Sequence, residues 1–218
     1  MNMYGHENIG RSMVEMIGVL AVIGVLSIGT VVLLTSAIEK HRVNSVINQI
    51  TEVVTNTHNM FGQHDGRDYS SLDFNVKKMS DASYNNRKIA DKLKLFPDKI
   101  RLDGYKNAFD GDIQYFADGR FKDNDGKAFV FELYSIPQDA CIALVTKDWS
   151  ANLGLVAMKV KGSADGYSIQ TGALAGKCKT QFKQGVGVFC AENFPIKVEQ
   201  AVKVCDNTKN NNISWKFY

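Results

Sequence analysis

The chain has 218 residues, 44% of them hydrophobic and 22% charged, with a formal net charge of +3. This is the balance of an ordinary folded protein and is long enough for one anchor and one domain. The charge is unevenly placed: before residue 39 the charged side chains are Glu7, Arg11 and Glu15, which leaves 25 basic and 21 acidic residues for 39–218. That surplus is too small and scattered to mark a nucleic-acid-binding protein.

Residues Met16 to Ile38 contain neither a charge nor a proline. At about 1.5 Å per residue a helix of that length crosses a bilayer core of roughly 30 Å. The run is too long for the apolar core of a secretory signal, and no Lys or Arg occurs in the first ten residues. Thr35-Ser36-Ala37 is the one stretch that offers a signal-peptidase site as an alternative. The charges on either side, Arg11 before and Lys40 and Arg42 after, do not fix an orientation.

The apolar run continues into a second pattern. Val43, Val46, Ile47, Ile50, Val53, Val54 and Met60 fall at spacings of three, four and seven, one face of an amphipathic helix. No proline interrupts 11–61, and the first stop is Gly62, followed by Asp65-Gly66. The reading is one helix over 11–61, about 75 Å long, with a transmembrane half at about 16–38 and an amphipathic half after it.

Beyond Gly62 the pattern is looser. A helix is expected within Ala82 to Phe96, ended by Pro97. Asp112 to Phe116 and Ala128 to Tyr134 are aromatic and β-branched runs separated by Asp118-Gly119 and Asp125-Gly126, which are hairpin signals. Pro137 opens a helix over Gln138 to Asp148, and Leu155 to Val160 reads as a strand. Ala173 to Ala191 reads as a loop or hairpin. Phe194 to Val204 reads as a helix that Pro195 starts, and Ile213 to Tyr218 as a last strand. A long helix with a mostly antiparallel sheet makes the fold class α+β.

The four cysteines, Cys141, Cys178, Cys190 and Cys205, all lie in the polar part. None forms a Cys-x-x-Cys pair, and all four histidines precede residue 65, so the spacing does not suit zinc. An even count beyond an anchor reads as two disulfides in an oxidising compartment, with three pairings open. Asp123, Asp125, Gly126 and Glu132 match positions of a calcium loop, but Phe121 stands where its first ligand belongs, and a β-turn explains the same residues. No Gly-Lys-Ser/Thr phosphate loop or Gly-x-Ser-x-Gly elbow occurs. No enzyme, cofactor or metal site is expected.

The segment Gly10-Arg11-Ser12-Met13-Val14-Glu15-Met16, followed by the apolar run, resembles the class III leader of type IV prepilins and type II secretion pseudopilins. The resemblance implies a leader of residues 1–10, cleavage after Gly10 by a prepilin peptidase, N-methylation of Arg11, and an assembly role for Glu15. Arg11 replaces the usual Phe or Met, and the leader lacks its usual basic residues. Pro137-Gln138-Asp139-Ala140-Cys141-Ile142 and Cys205 with Ile213-Ser214-Trp215-Lys216-Phe217 resemble the head of type IVb-like pilins. In those heads a bridge joins a mid-domain helix to a point near the C-terminus, which implies Cys141–Cys205 and leaves Cys178–Cys190. A carboxylate beside a spanning run is costly unless paired. A neighbouring subunit's amine at residue 11 is the partner expected for Glu15, whereas Ser12-x-x-Glu15 is also a capping-box pattern. Gly18, Gly24 and Gly29 fit close helix contact, local melting, or the ordinary glycine content of a membrane helix.

The expectation is therefore a pilin-like filament subunit: a helical homo-oligomer handled by the peptidase and an inner-membrane assembly platform. The precursor would sit in the inner membrane with a periplasmic head over 62–218, then move to a surface filament. A minor pilin or secretion pseudopilin is the nearest alternative, and a single-pass anchored binding domain the alternative of another class.

Overall fold

The computed structural model describes residues 8–62, 68–118, 127–149, 154–162, 178–207 and 210–218. Within the first helix the side chains of 8–12 and 24–34 are outside that description. The chain divides into two compact units, Met1–His41 and Arg42–Tyr218.

Helix α1 covers Asn8–Phe61 without a break, passing through Gly18, Gly24 and Gly29. Its end is enforced at Gly62, whose N–H donates to the His58 carbonyl at 2.7 Å. A Cβ at Gly62 would lie 2.4 Å from that oxygen, which excludes other residues unless the backbone shifts. Among the described residues no helix is long and apolar enough to cross a membrane. The side chains of 24–34, the middle of the uncharged run, lie outside them.

In the second unit the amphipathic stripe is buried as its spacing dictates from Val46 to Val54, whereas Met60 is exposed. Val46, Ile50, Val53, Val54 and Thr57 are fully buried, while Asn44, Asn48, Thr51, Thr55 and Asn59 are exposed. Burying four aliphatic side chains contributes on the order of 6–12 kcal/mol as an upper bound. Polar contacts fix the helix rotation. Thr57 Oγ1 donates to the Val53 carbonyl and lies 3.0 Å from the Tyr115 hydroxyl, and Asn56 Nδ2 donates to the Leu95 carbonyl.

Two short helices follow, α2 (Asn85–Leu93) and α3 (Asp98–Leu102). The sequence predicts only the first, and α2 lies inside the window expected for it. Lys94 takes a left-handed conformation and closes α2 before Phe96 and Pro97 turn the chain into α3. Strands β1 (Ile113–Asp118) and β2 (Ala128–Ile136) form the antiparallel pair expected from their composition. Their turn signals at 119 and 125–126 lie outside the described residues. Helix α4 (Gln138–Thr146) precedes β3 (Leu155–Lys161), and β4 (Gln181–Lys183) with β5 (Val186–Cys190) forms a hairpin.

Helix α5 is Val198–Val204, not Phe194–Val204. Pro195 does not start it: the Phe194–Pro195 peptide is cis, and Phe194 itself is extended. The start is instead at Lys197, whose N–H donates to Gln200 Oε1 at 3.3 Å and whose carbonyl accepts from Gln200 N–H. The last strand, β6 (Asn211–Phe217), completes one six-stranded antiparallel sheet in the order β1-β2-β6-β3-β5-β4. Tyr115, Phe129, Phe131, Leu133, Ile213, Trp215 and Phe217 belong to the same core as the buried stripe of α1. The fold is α+β with a long first helix.

Candidate functional site

The first unit is informative for what it leaves uncovered. Met13, Val14, Met16, Ile17, Val19, Leu20, Val22 and Ile23 are all more than half exposed, Val14 the most at 72%. At about 100° per residue these positions point in every direction around the axis, so α1 is apolar all round here. A contiguous exposed apolar surface of this kind marks an interaction surface. Glu15 is exposed within it, and no described residue pairs with it. Because α1 begins at Asn8, Ser12 and Glu15 stand inside the helix and not at its start, so the capping-box reading fails for the uncut chain. Gly10 and Arg11 lie in the first turns of α1; their side chains, and residues 1–7 of the leader, are outside the described residues.

The cysteines are all paired. Cys141, buried on α4, is bonded to Cys205 just after α5, with Cα atoms 5.9 Å apart. Cys178 is bonded to Cys190 at the end of β5, with Cα atoms 5.8 Å apart. On the chain-entropy account their sequence separations of 64 and 12 correspond to about 4 and about 3 kcal/mol.

The sheet face turned away from α1 carries polar groups that the sequence did not reveal. Gln114, Glu132, Ser214 and Lys159 pair in register across β1, β2, β6 and β3 and so share one row. Tyr134 Oη donates to Gln114 Oε1 at 2.9 Å. Burial pushes the Glu132 carboxyl above its usual range, against the opposing pull of Ser214, Lys159, Tyr134 and Lys161. One row on, Lys216 pairs with Asp118, both side chains at most 3% exposed. In sequence Asp118 reads as part of a turn signal and Lys216 as a residue of the last strand. Only the folded sheet discloses them as a buried ion pair.

A second buried hub ties the segment before α2 to β1. Asn86 Nδ2 donates to the Asp73 and Tyr115 carbonyls and to the Tyr84 hydroxyl, and its Oδ1 accepts from the Asp73 N–H. Tyr84 Oη in turn donates to the Asn75 and Tyr115 carbonyls, and burial pushes its phenol up to about 12. These networks partner most of their buried polar groups, Asp118 Oδ1 excepted. Among the described residues no three His, Cys, Asp or Glu side chains group to hold a metal. Of the calcium-loop positions, Phe121, Asp123, Asp125 and Gly126 lie outside the described residues, and Glu132 sits in the middle of β2.

Comparison with known proteins gives structural likeness and no sequence match. No family model and no curated protein matches the chain. Among solved structures it is similar to TcpA, a type IV pilin from Vibrio cholerae El Tor biotype, at 18% identity and a TM-score of 0.44, over 83% of this chain and 99% of that one. It is also similar to the type IV b pilin from Salmonella typhi, at 15% identity and a TM-score of 0.43, over 80% of this chain and 97% of that one. The functional reading rests on the residues themselves.

Proposed function

We propose that this chain is the structural subunit of a type IV pilus-like filament. A prepilin peptidase cuts it after Gly10, the new N-terminus at Arg11 is methylated, and subunits assemble through α1 on an inner-membrane platform. The observation that carries this reading is Glu15: the one carboxylate among the exposed apolar residues 13–23 of α1, five residues beyond a glycine. In lipid such a surface gains little from apolar burial as such, and helices associate there through close packing and polar contacts. Ordinary apolar burial is not selective for register, and the carboxylate supplies the selection. Its partner is the amine of residue 11 in the next subunit. A copy displaced by one turn leaves both charges desolvated and unpaired, at a cost of several kcal/mol. The buried stripe of α1, Val46 to Thr57, packs within the head itself.

In this reading the precursor sits in the inner membrane, with residues 16–38 as its spanning segment and the disulfide-bearing head in the periplasm. Assembly then carries the head to the filament surface. The test is Glu15→Ala against Glu15→Gln in cells making the full chain. Both variants are expected to keep two disulfides and the membrane fraction of the wild type, while sheared filaments lose most of the subunit. Normal filament yield from Glu15→Ala would exclude the pairing.

A further inference from the structure

Strand β6 is the last element of the chain but the third of six in the sheet. It pairs with β2 on one side and β3 on the other, and β2 and β3 are not neighbours. Without β6 the sheet is two pieces, β1–β2 and β3–β5–β4, each with a bare edge of unpaired backbone groups. β6 also places Ile213, Trp215 and Phe217, all fully buried, in the core beneath α1. The slot is therefore demanding in both backbone and side chains. Every copy of the chain carries one such slot and one strand that fits it.

What confines β6 to its own slot is the segment before it. Cys205 is bonded to Cys141 on α4, so the end of α5 cannot leave α4. After Cys205 the chain is clasped: Asp206 N–H donates to Asn211 Oδ1 at 2.8 Å, and Asn211 Nδ2 donates to the Asp206 and Ile136 carbonyls. With the bridge in place, only β6 can depart, on a tether from Asp206 to Asn210 that reaches no further than about 20 Å. Without the bridge, α5 and β6 can depart together.

We propose that β6 is an exchangeable strand, that a second copy of this chain supplies it to the slot when the Cys141–Cys205 bridge is absent, and that the bridge is what restricts each head to its own strand. An interface with a second copy is then built into the sheet, and it is closed by thiol–disulfide exchange: the Cys141 and Cys205 thiols lose two protons and form the Sγ–Sγ bond while a disulfide-bearing oxidant takes the two electrons and is reduced to its dithiol. Heads that form the bridge close singly before they meet, and chains that lack it link head to head.

The register supplies the probe. Glu132 and Ser214 stand directly opposite each other on β2 and β6, on the face away from α1. Two differently tagged full-length chains are co-expressed, one carrying Glu132→Cys and the other Ser214→Cys, with the native bridge or with Cys141→Ser and Cys205→Ser. A single chain carrying both probe substitutions reports closure on its own strand. The expected result is a disulfide between the two tags that is several-fold more abundant without the bridge than with it. Equal crossing in the two backgrounds overturns the proposal, as does a bridge-less chain that closes only on itself. A bridge-less chain in which neither link forms also overturns it, because the slot then stays unfilled.

Discussion

Replacing Asn86 by alanine removes a side chain that is fully buried and makes contacts to three other residues. The amide has two N–H groups shared among three oxygens and one oxygen that accepts from Asp73. Three net hydrogen bonds at about 1 kcal/mol each set the scale of the loss. Leaving the Asp73 N–H and the Tyr115 carbonyl short of a partner keeps the total near 3 kcal/mol even if the site partly relaxes. For a domain of this size that lowers the melting temperature by roughly 6–12 °C, read by near-ultraviolet circular dichroism of the chain in mild detergent. Asn86→Asp is the sharper variant. It keeps the shape and still accepts from Asp73, but when ionised it has no donor and places a charge in the core. Its loss is expected to exceed that of Asn86→Ala at neutral pH and to shrink towards pH ~4, where the acid protonates. A shift below about 2 °C for Asn86→Ala would refute the argument that this hub holds the segment around Asp73 onto β1.

Cys205→Ser is expected to lower head stability and filament yield more than Cys190→Ser, because it opens the larger loop, by about 4 against about 3 kcal/mol. Equal denaturant midpoints would contradict that ordering. Glu132 carries a pH prediction with a definite sign. Its folded-state carboxyl is raised above the unfolded value, so its contribution is fully present below the unfolded pKa of about 4.3 and is lost as pH rises through the folded one. Glu132→Gln should therefore be stabilised relative to wild type at neutral pH, with the difference closing towards about pH 4. Parallel stability curves for the two chains across that window would exclude the effect.

How much of this was legible beforehand depends on whether the determining contacts were local. The course of α1 followed from residues three and four apart, and its end from a glycine, so both were readable from Val46, Ile50, Val53 and Gly62. The β1–β2 pair followed from alternation and turn signals. Helix α3 and the late start of α5 did not, because Lys94 closes α2 in a left-handed conformation and Phe194 and Lys197 are extended, backbone states that the residue types at those positions do not encode. The central place of β6 was hidden for a different reason: it pairs with strands far back in the chain, and no local pattern encodes a partner. The same non-local register makes Lys216 and Asp118 a buried pair. The candidate site divides likewise, since Gly10, Glu15 and the uncharged run are one local string. The exposure of Met13 to Ile23 on all sides, and the position of Glu15 inside the helix and not at its cap, required the structure.

The most direct measurement of the central claim is the N-terminus of the mature protein, taken from the membrane and from sheared filaments by intact mass and terminal sequencing. The account requires a chain that begins at Arg11, carries one methyl group on its amine, and contains both disulfides. A chain that still begins at Met1, or one that begins after Ala37, would contradict it.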